Sequence, residues 1–134
     1  MKILIADDEY VSRKLAVKIL SLYGACHTAE NGLEALEMFE TAHKKEEPFD
    51  LITMDILMPG TDGIETLRRI REWEISQKIP AEKKVKVVML TASKDVEDLY
   101  PSFREGCEAY ITKPFNAETL AEILNKLGIV YNQS

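Results

Sequence analysis

Four short apolar runs in this chain each end on a polar group capable of chemistry. Ile3-Leu4-Ile5-Ala6 leads into Asp7-Asp8, and Leu51-Ile52-Thr53-Met54 into Asp55. Val87-Val88-Met89-Leu90 leads into Thr91, and Ala109-Tyr110-Ile111-Thr112 into Lys113. Runs of this length without polar alternation predict strands buried on both faces, the state of a parallel sheet. The segments between them carry helical spacing. Apolar residues at 11, 15, 19 and 22 predict a first helix, with Gly24 placed to end it. Ala25 to Ala29 reads as a weak strand, and Asn31-Gly32 opens a helix carrying Leu33, Leu36 and Phe39. A third helix carries Ile64, Leu67 and Ile70, and a helical region spans about 94–105. The last helix carries Leu120, Ile123, Leu124 and Leu127 and is ended by Gly128. Such alternation with short connections predicts an α/β domain, with helices on both faces of a parallel sheet and right-handed crossovers. The 134 residues fit one domain at 1–128 with a tail at 129–134, and leave nothing for a separate output domain.

In an open α/β sheet, ligands bind outside the carboxyl ends of the strands. Asp7, Asp8, Asp55, Thr91 and Lys113 are therefore predicted to converge at one edge. Three like charges in one crevice repel unless a cation joins them. Hard oxygen donors with room for water and a phosphoryl oxygen suit Mg²⁺ better than Zn²⁺ or a closed Ca²⁺ cage. An acidic pair that opens a helix also serves as an N-cap, and Asp7-Asp8 alone would be read that way. Asp55, at a second strand end, tips the balance toward a metal site. Asp55 is the candidate nucleophile, because a carboxylate can take a phosphoryl group to give an acyl phosphate. That transfer asks mainly for positioning and charge neutralisation. Lys113 would supply a point charge and Thr91 a hydroxyl. Taken singly, a strand-end threonine or lysine is a surface residue; the combination carries the signal. The Lys113–Pro114 bond can be cis at low cost, though sequence alone favours a trans proline opening the last helix.

The net charge of −6 and pI near 5.0 argue against nonspecific nucleic-acid binding. The pairs Lys44-Lys45 and Lys83-Lys84, flanked by glutamates, read as solvated loop charges. No apolar run is long enough for a bilayer, and no signal-peptide pattern is present. Cys26 and Cys107 lack metal-ligand spacing and are expected to be buried, reduced thiols. A cytoplasmic protein without membrane contact is expected.

Ile3 to Asp8, Met54 to Gly63, Leu90-Thr91-Ala92 and Tyr110 to Phe115 together resemble the receiver domain of bacterial two-component response regulators. The resemblance covers residues 2 to about 127. It implies a five-stranded parallel sheet, order 2-1-3-4-5, with five helices in a flavodoxin-like three-layer sandwich. It implies that Asp55 is phosphorylated and that Asp7, Asp8, Asp55 and the Leu57 backbone carbonyl hold Mg²⁺. Thr91 and Lys113 would bind the phosphoryl group, and the Lys113–Pro114 bond would be cis. Tyr110 would turn inward when Thr91 moves toward that group. The expected partners are a sensor histidine kinase or histidine phosphotransfer protein, and a downstream protein read through the fourth helix, fifth strand and fifth helix. The expected role is signalling rather than enzymatic turnover. Positions that modulate the phosphoryl lifetime hold Leu57 and Ser93, neither an acid nor an amide that would orient a water. Pro101 falls within the fourth helical region, where a proline breaks regular hydrogen bonding. Two other classes compete. An Asp-nucleophile phosphatase of the haloacid dehalogenase class needs an acid where Leu57 stands. A pseudo-receiver that is never phosphorylated is disfavoured by the intact acidic, threonine and lysine set.

Overall fold

The computed structural model describes residues 1–58, 62–91 and 106–130. Five strands form one parallel sheet: β1 (Lys2–Ala6), β2 (Ala25–Ala29), β3 (Leu51–Asp55), β4 (Lys86–Thr91) and β5 (Ala109–Thr112). Their order is β2-β1-β3-β4-β5, as expected. Four α-helices lie among the described residues: α1 (Tyr10–Leu20), α2 (Gly32–Lys44), α3 (Gly63–Ser76) and α4 (Ala117–Lys126). Five were expected; the helical region at 94–105, with Pro101, lies outside the described residues. A short 3-10 turn, Ala81–Lys83, interrupts what was expected to be a plain loop.

The sheet is apolar on both faces because both are covered. Leu4, Ala6, Ile52, Met54, Val87 and Met89 pack with α2 and α3. Ile3, Ile5, Leu51, Val88 and Leu90 pack with α1 and α4. Successive strand residues point to opposite faces, so the central strands are apolar on both, with only the small polar Thr53 of β3 buried between their ends. Side-chain caps set three of the helix starts. Asn31 accepts from the Glu34 N–H at 2.8 Å, Asp62 from Glu65 at 2.7 Å and Asn116 from Thr119 at 2.9 Å. Each such cap contributes about 1 kcal/mol. Between α2 and α3, Trp73 lies edge-on to Phe39 with ring centroids 5.3 Å apart, and 4.8 Å from His43.

The stripe expected for α1 holds only at Ile19. Val11, Leu15 and Leu22 are exposed, and the buried face is Ala16, Ile19 and Leu20, continued by Tyr23. Both sets have helical spacing and they share Ile19. Likewise Leu33 is exposed on α2, while Ala35, Phe39 and Ala42 are buried. The helix α1 ends at Leu20, before Gly24. Gly24 is small for another reason: a Cβ there would lie 2.2 Å from the Met1 carbonyl oxygen. At the far end, Gly128 has φ +79°, the left-handed conformation that favours glycine after a helix. The tail does not begin at 129, because Ile129 is buried in the core and its N–H donates to the Leu124 carbonyl at 2.8 Å. Cys26 and Cys107 are free and half-buried, not buried, and they pack against opposite faces of the sheet. Burial pushes both thiols up, Cys107 to about 11. Among the described residues, no helix is long and apolar enough to cross a membrane.

Candidate functional site

The strand order reverses between β1 and β3, since α1 carries the chain one way from β1 and α2 carries it back past β1 to β3. The crevice beyond the carboxyl ends of these two strands is where α/β sheets bind ligands. The register pairs Ala6 with Met54, so Asp7 and Asp55 stand side by side across that crevice. One carboxylate oxygen from each of Asp7, Asp8 and Asp55 lies within 4.8 Å of the others. The predicted acids thus converge.

Asp7 is wholly buried, Asp55 nearly so, and Asp8 is exposed. The Lys113 ammonium bridges the two buried acids, donating to Asp7 Oδ2 at 3.2 Å and to Asp55 Oδ2 at 3.0 Å. Its backbone N–H donates to the Thr91 carbonyl at 2.7 Å, which ties the end of β5 to that of β4. The other oxygen of each acid meets a backbone donor: Asp7 Oδ1 accepts from Glu9 at 2.9 Å, and Asp55 Oδ1 from Leu57 at 3.2 Å. Glu9 is the N-cap residue of α1 and makes no side-chain cap bond. The acidic pair is therefore not the helix cap that Asp7-Asp8 alone would suggest.

Burial pushes the Asp55 carboxyl above the usual carboxylate range; the Lys113 hydrogen bond and charge pull it down, and the Asp7 charge pushes it up again. Burial also works against the Lys113 charge, but the hydrogen bonds and charges of Asp55 and Asp7 outweigh it and hold that ammonium above its ordinary value. One lysine cation faces three carboxylates, so the cluster keeps a negative excess. Its donors are hard oxygens, and those of the exposed Asp8 remain open to solvent. That set fits a small divalent cation such as Mg²⁺.

Thr91 is buried at the end of β4, paired in register with Thr112. Tyr110 is half-buried on β5 and packs against the core on the α2–α3 side. The Lys113–Pro114 bond is cis, as the resemblance implied and against the trans form that sequence alone favoured. The Leu57 side chain is 69% exposed, so it projects into water beside the site rather than roofing it. Ser93 lies outside the described residues.

Two features of the site escaped the sequence. Arg13 donates to the Asp7 carbonyl at 2.9 Å; its place on the first turns of α1, just past the acids, was the available signal. Gly63 is the other. Its N–H donates to the Ile56 carbonyl at 2.7 Å, and a Cβ there would sit 2.2 Å from the Asp55 carbonyl oxygen. Backbone cannot swing aside as a side chain can. Gly63→Ala is expected to cost about 1–3 kcal/mol by displacing the Asp55 peptide. Urea denaturation checks this; a wild-type value would show that the segment yields freely.

Residues 3–125 match the family described as response regulator receiver domain. The chain is 37% identical over 129 residues to the chemotaxis protein CheY-3 of Vibrio cholerae, covering 95% of this chain and 91% of that one. Among solved structures it is similar to the response regulator TrrA of Thermotoga maritima in complex with Mg²⁺-BeF, with TM-score 0.75 and 32% identity over 94% of this chain and 97% of that one. It is also similar to the co-crystal of the Saccharomyces cerevisiae phosphotransfer protein Ypd1 with the receiver domain of Ssk1, with TM-score 0.76, 28% identity and coverage of 98% and 93%.

Proposed function

This chain belongs to the response regulator receiver domain family, and on that premise we propose that Asp55 accepts a phosphoryl group from a phosphohistidine. The donor is a sensor histidine kinase or a histidine phosphotransfer protein, a class supported by the likeness to a receiver crystallised with Ypd1. The observation that carries the proposal is the shared lysine. Lys113 spans Asp7 and Asp55, with Asp8 alongside, at the sheet's switch point.

An Asp55 oxygen attacks phosphorus, the phosphorus–nitrogen bond breaks, and the electron pair stays on the imidazole nitrogen. The product is an acyl phosphate on Asp55. Lys113, already within hydrogen-bond reach of the Asp55 carboxylate, pairs with a phosphoryl oxygen. Thr91, at the next strand end, offers its hydroxyl to another. Asp7, Asp8, Asp55 and the Leu57 carbonyl would hold Mg²⁺, which when bound offsets charge on the transferring group. Movement of Thr91 then repacks Tyr110, and the change is read by a protein partner over β5, α4 and the region at 94–105. The domain signals by contact with that partner. The test is peptide mapping by mass spectrometry after incubation with acetyl phosphate, with and without Mg²⁺. One phosphoryl group on Asp55, formed only with Mg²⁺, is expected; a label elsewhere sinks the assignment.

The lifetime of that group follows from position 57. An exposed leucine can neither orient nor deprotonate a water molecule. The wild type is therefore expected to lose its phosphoryl group severalfold more slowly than Leu57→Asn, whose amide can hold the attacking water. Decay of both forms after removal of the donor checks this, and equal rates would remove any role for residue 57.

A further inference from the structure

Asp8 must be aimed at the cation, yet nothing on its own side chain aims it. It is exposed, and its carboxylate makes no hydrogen bond or ion pair among the described residues. Still, one of its oxygens lies within 4.8 Å of those of Asp7 and Asp55. Its direction must come from the backbone, and one side chain grips the peptide that joins Asp7 to Asp8. Arg13 donates one nitrogen of its guanidinium fork to the Asp7 carbonyl at 2.9 Å. Its other terminal nitrogen lies 3.4 Å from the Glu30 carboxylate, on the loop that follows β2. The Tyr10 ring, 5.7 Å from the guanidinium carbon, flanks it. On the other side, the Asp7 N–H donates to the Ala29 carbonyl at 3.0 Å. Both peptides flanking Asp7 are thus held.

The charge arrangement matters as much as the grip. Arg13 touches a carbonyl, not the site carboxylates, and Glu30 answers its positive charge. It can brace the acids without competing for them. A planar fork serves two acceptors in different directions, which a lysine ammonium on one stem does less well.

We infer that Arg13, backed by Glu30, is a positioning residue for the metal-ligating carboxylates, fixing the Asp7–Asp8 peptide so that Asp8 is presented to a divalent cation. This rests on the function proposed above. The test is Mg²⁺ affinity by isothermal titration calorimetry on the full chain. Wild type, Arg13→Ala, Arg13→Lys and Glu30→Gln are compared at a temperature where circular dichroism shows each variant folded. Groups that orient metal ligands typically carry about tenfold or more in affinity. Arg13→Ala is expected to lose that much, and Arg13→Lys to recover part of it, since an ammonium can still reach the carbonyl. Glu30→Gln, at an exposed pair, is expected to lose less than about fivefold. A merely structural arginine would lower the melting temperature and leave the affinity of the folded protein unchanged; wild-type affinity in Arg13→Ala overturns the inference. Should that variant fail to fold, wild-type affinity in both Arg13→Lys and Glu30→Gln overturns it equally. If the wild type binds no Mg²⁺ at all, the proposed function falls, and this inference with it.

Discussion

Asp55→Asn is expected to take up no phosphoryl group from acetyl phosphate and Mg²⁺ while folding as the wild type does. An amide has no anionic oxygen to attack phosphorus, and removal of a nucleophile costs at least about a thousandfold in rate. The fold should tolerate the change. Lys113 keeps its bond to Asp7 at 3.2 Å, and the neutral amide no longer faces the Asp7 charge. Without Mg²⁺ the substitution should even stabilise the protein, in a pH-dependent way. Burial raises the Asp55 pKa in the folded state, so the folded chain holds this proton more tightly than the unfolded one. The stability linked to it is present below the ordinary carboxylate pKa and lost as pH rises through the raised one. The advantage of Asp55→Asn in melting temperature should therefore grow with pH across that window. Intact-mass spectrometry and melting curves in chelator check both halves. Phosphorylation of the variant at a rate near the wild type's would move the acceptor to another residue.

The largest loss of stability is expected away from the site, at Arg71. This residue donates to the Glu74 carboxylate at 2.6 Å, and Glu74 is completely buried. The second Glu74 oxygen accepts from the Val85 N–H at 2.9 Å. Arg71 also donates to the carbonyls of Gly106 at 2.7 Å and Val85 at 2.9 Å, and to Glu108. Glu108 in turn accepts from the Val87 N–H. One guanidinium thus joins α3 to the starts of β4 and β5. Arg71→Ala would strand a buried carboxylate, which costs about 3–5 kcal/mol. Glu74→Gln should cost less, since its amide oxygen still accepts from Val85. Urea unfolding checks the ranking, and a loss under about 1 kcal/mol for Arg71→Ala would mean that water or another cation replaces the pair.

That network also shows where the sequence stops speaking. The strands were legible because buried parallel strands leave no polar alternation, and β2 was found at Ala25–Ala29 despite its exposed edge position. The acids, Thr91 and Lys113 were legible because each follows such a run. Glu74 was not, although it falls one turn after Ile70 on the buried stripe of α3. A glutamate there reads as a solvated charge until a distant loop supplies its partners. The α1 stripe failed for a different reason. Val11 and Leu15 line up with Ile19 on one helical face as well as Ala16 does, and helical spacing alone does not say which of them meets the sheet. Arg13 was missed because its partner is a backbone carbonyl, which no residue pattern announces.

The chain's single tryptophan is Trp73, wedged beside Phe39 and His43 between α2 and α3. Its intrinsic fluorescence therefore watches one helical layer and is blind to the acid cluster. Emission should report melting of the α2–α3 seam and stay flat through a Mg²⁺ titration. Burial keeps the neighbouring imidazole below its ordinary range, so quenching by a charged His43 should set in only at more acidic pH than for a free histidine. Optical work on the phosphoacceptor needs a second chromophore, and the exposed position of Leu57 has room for an indole.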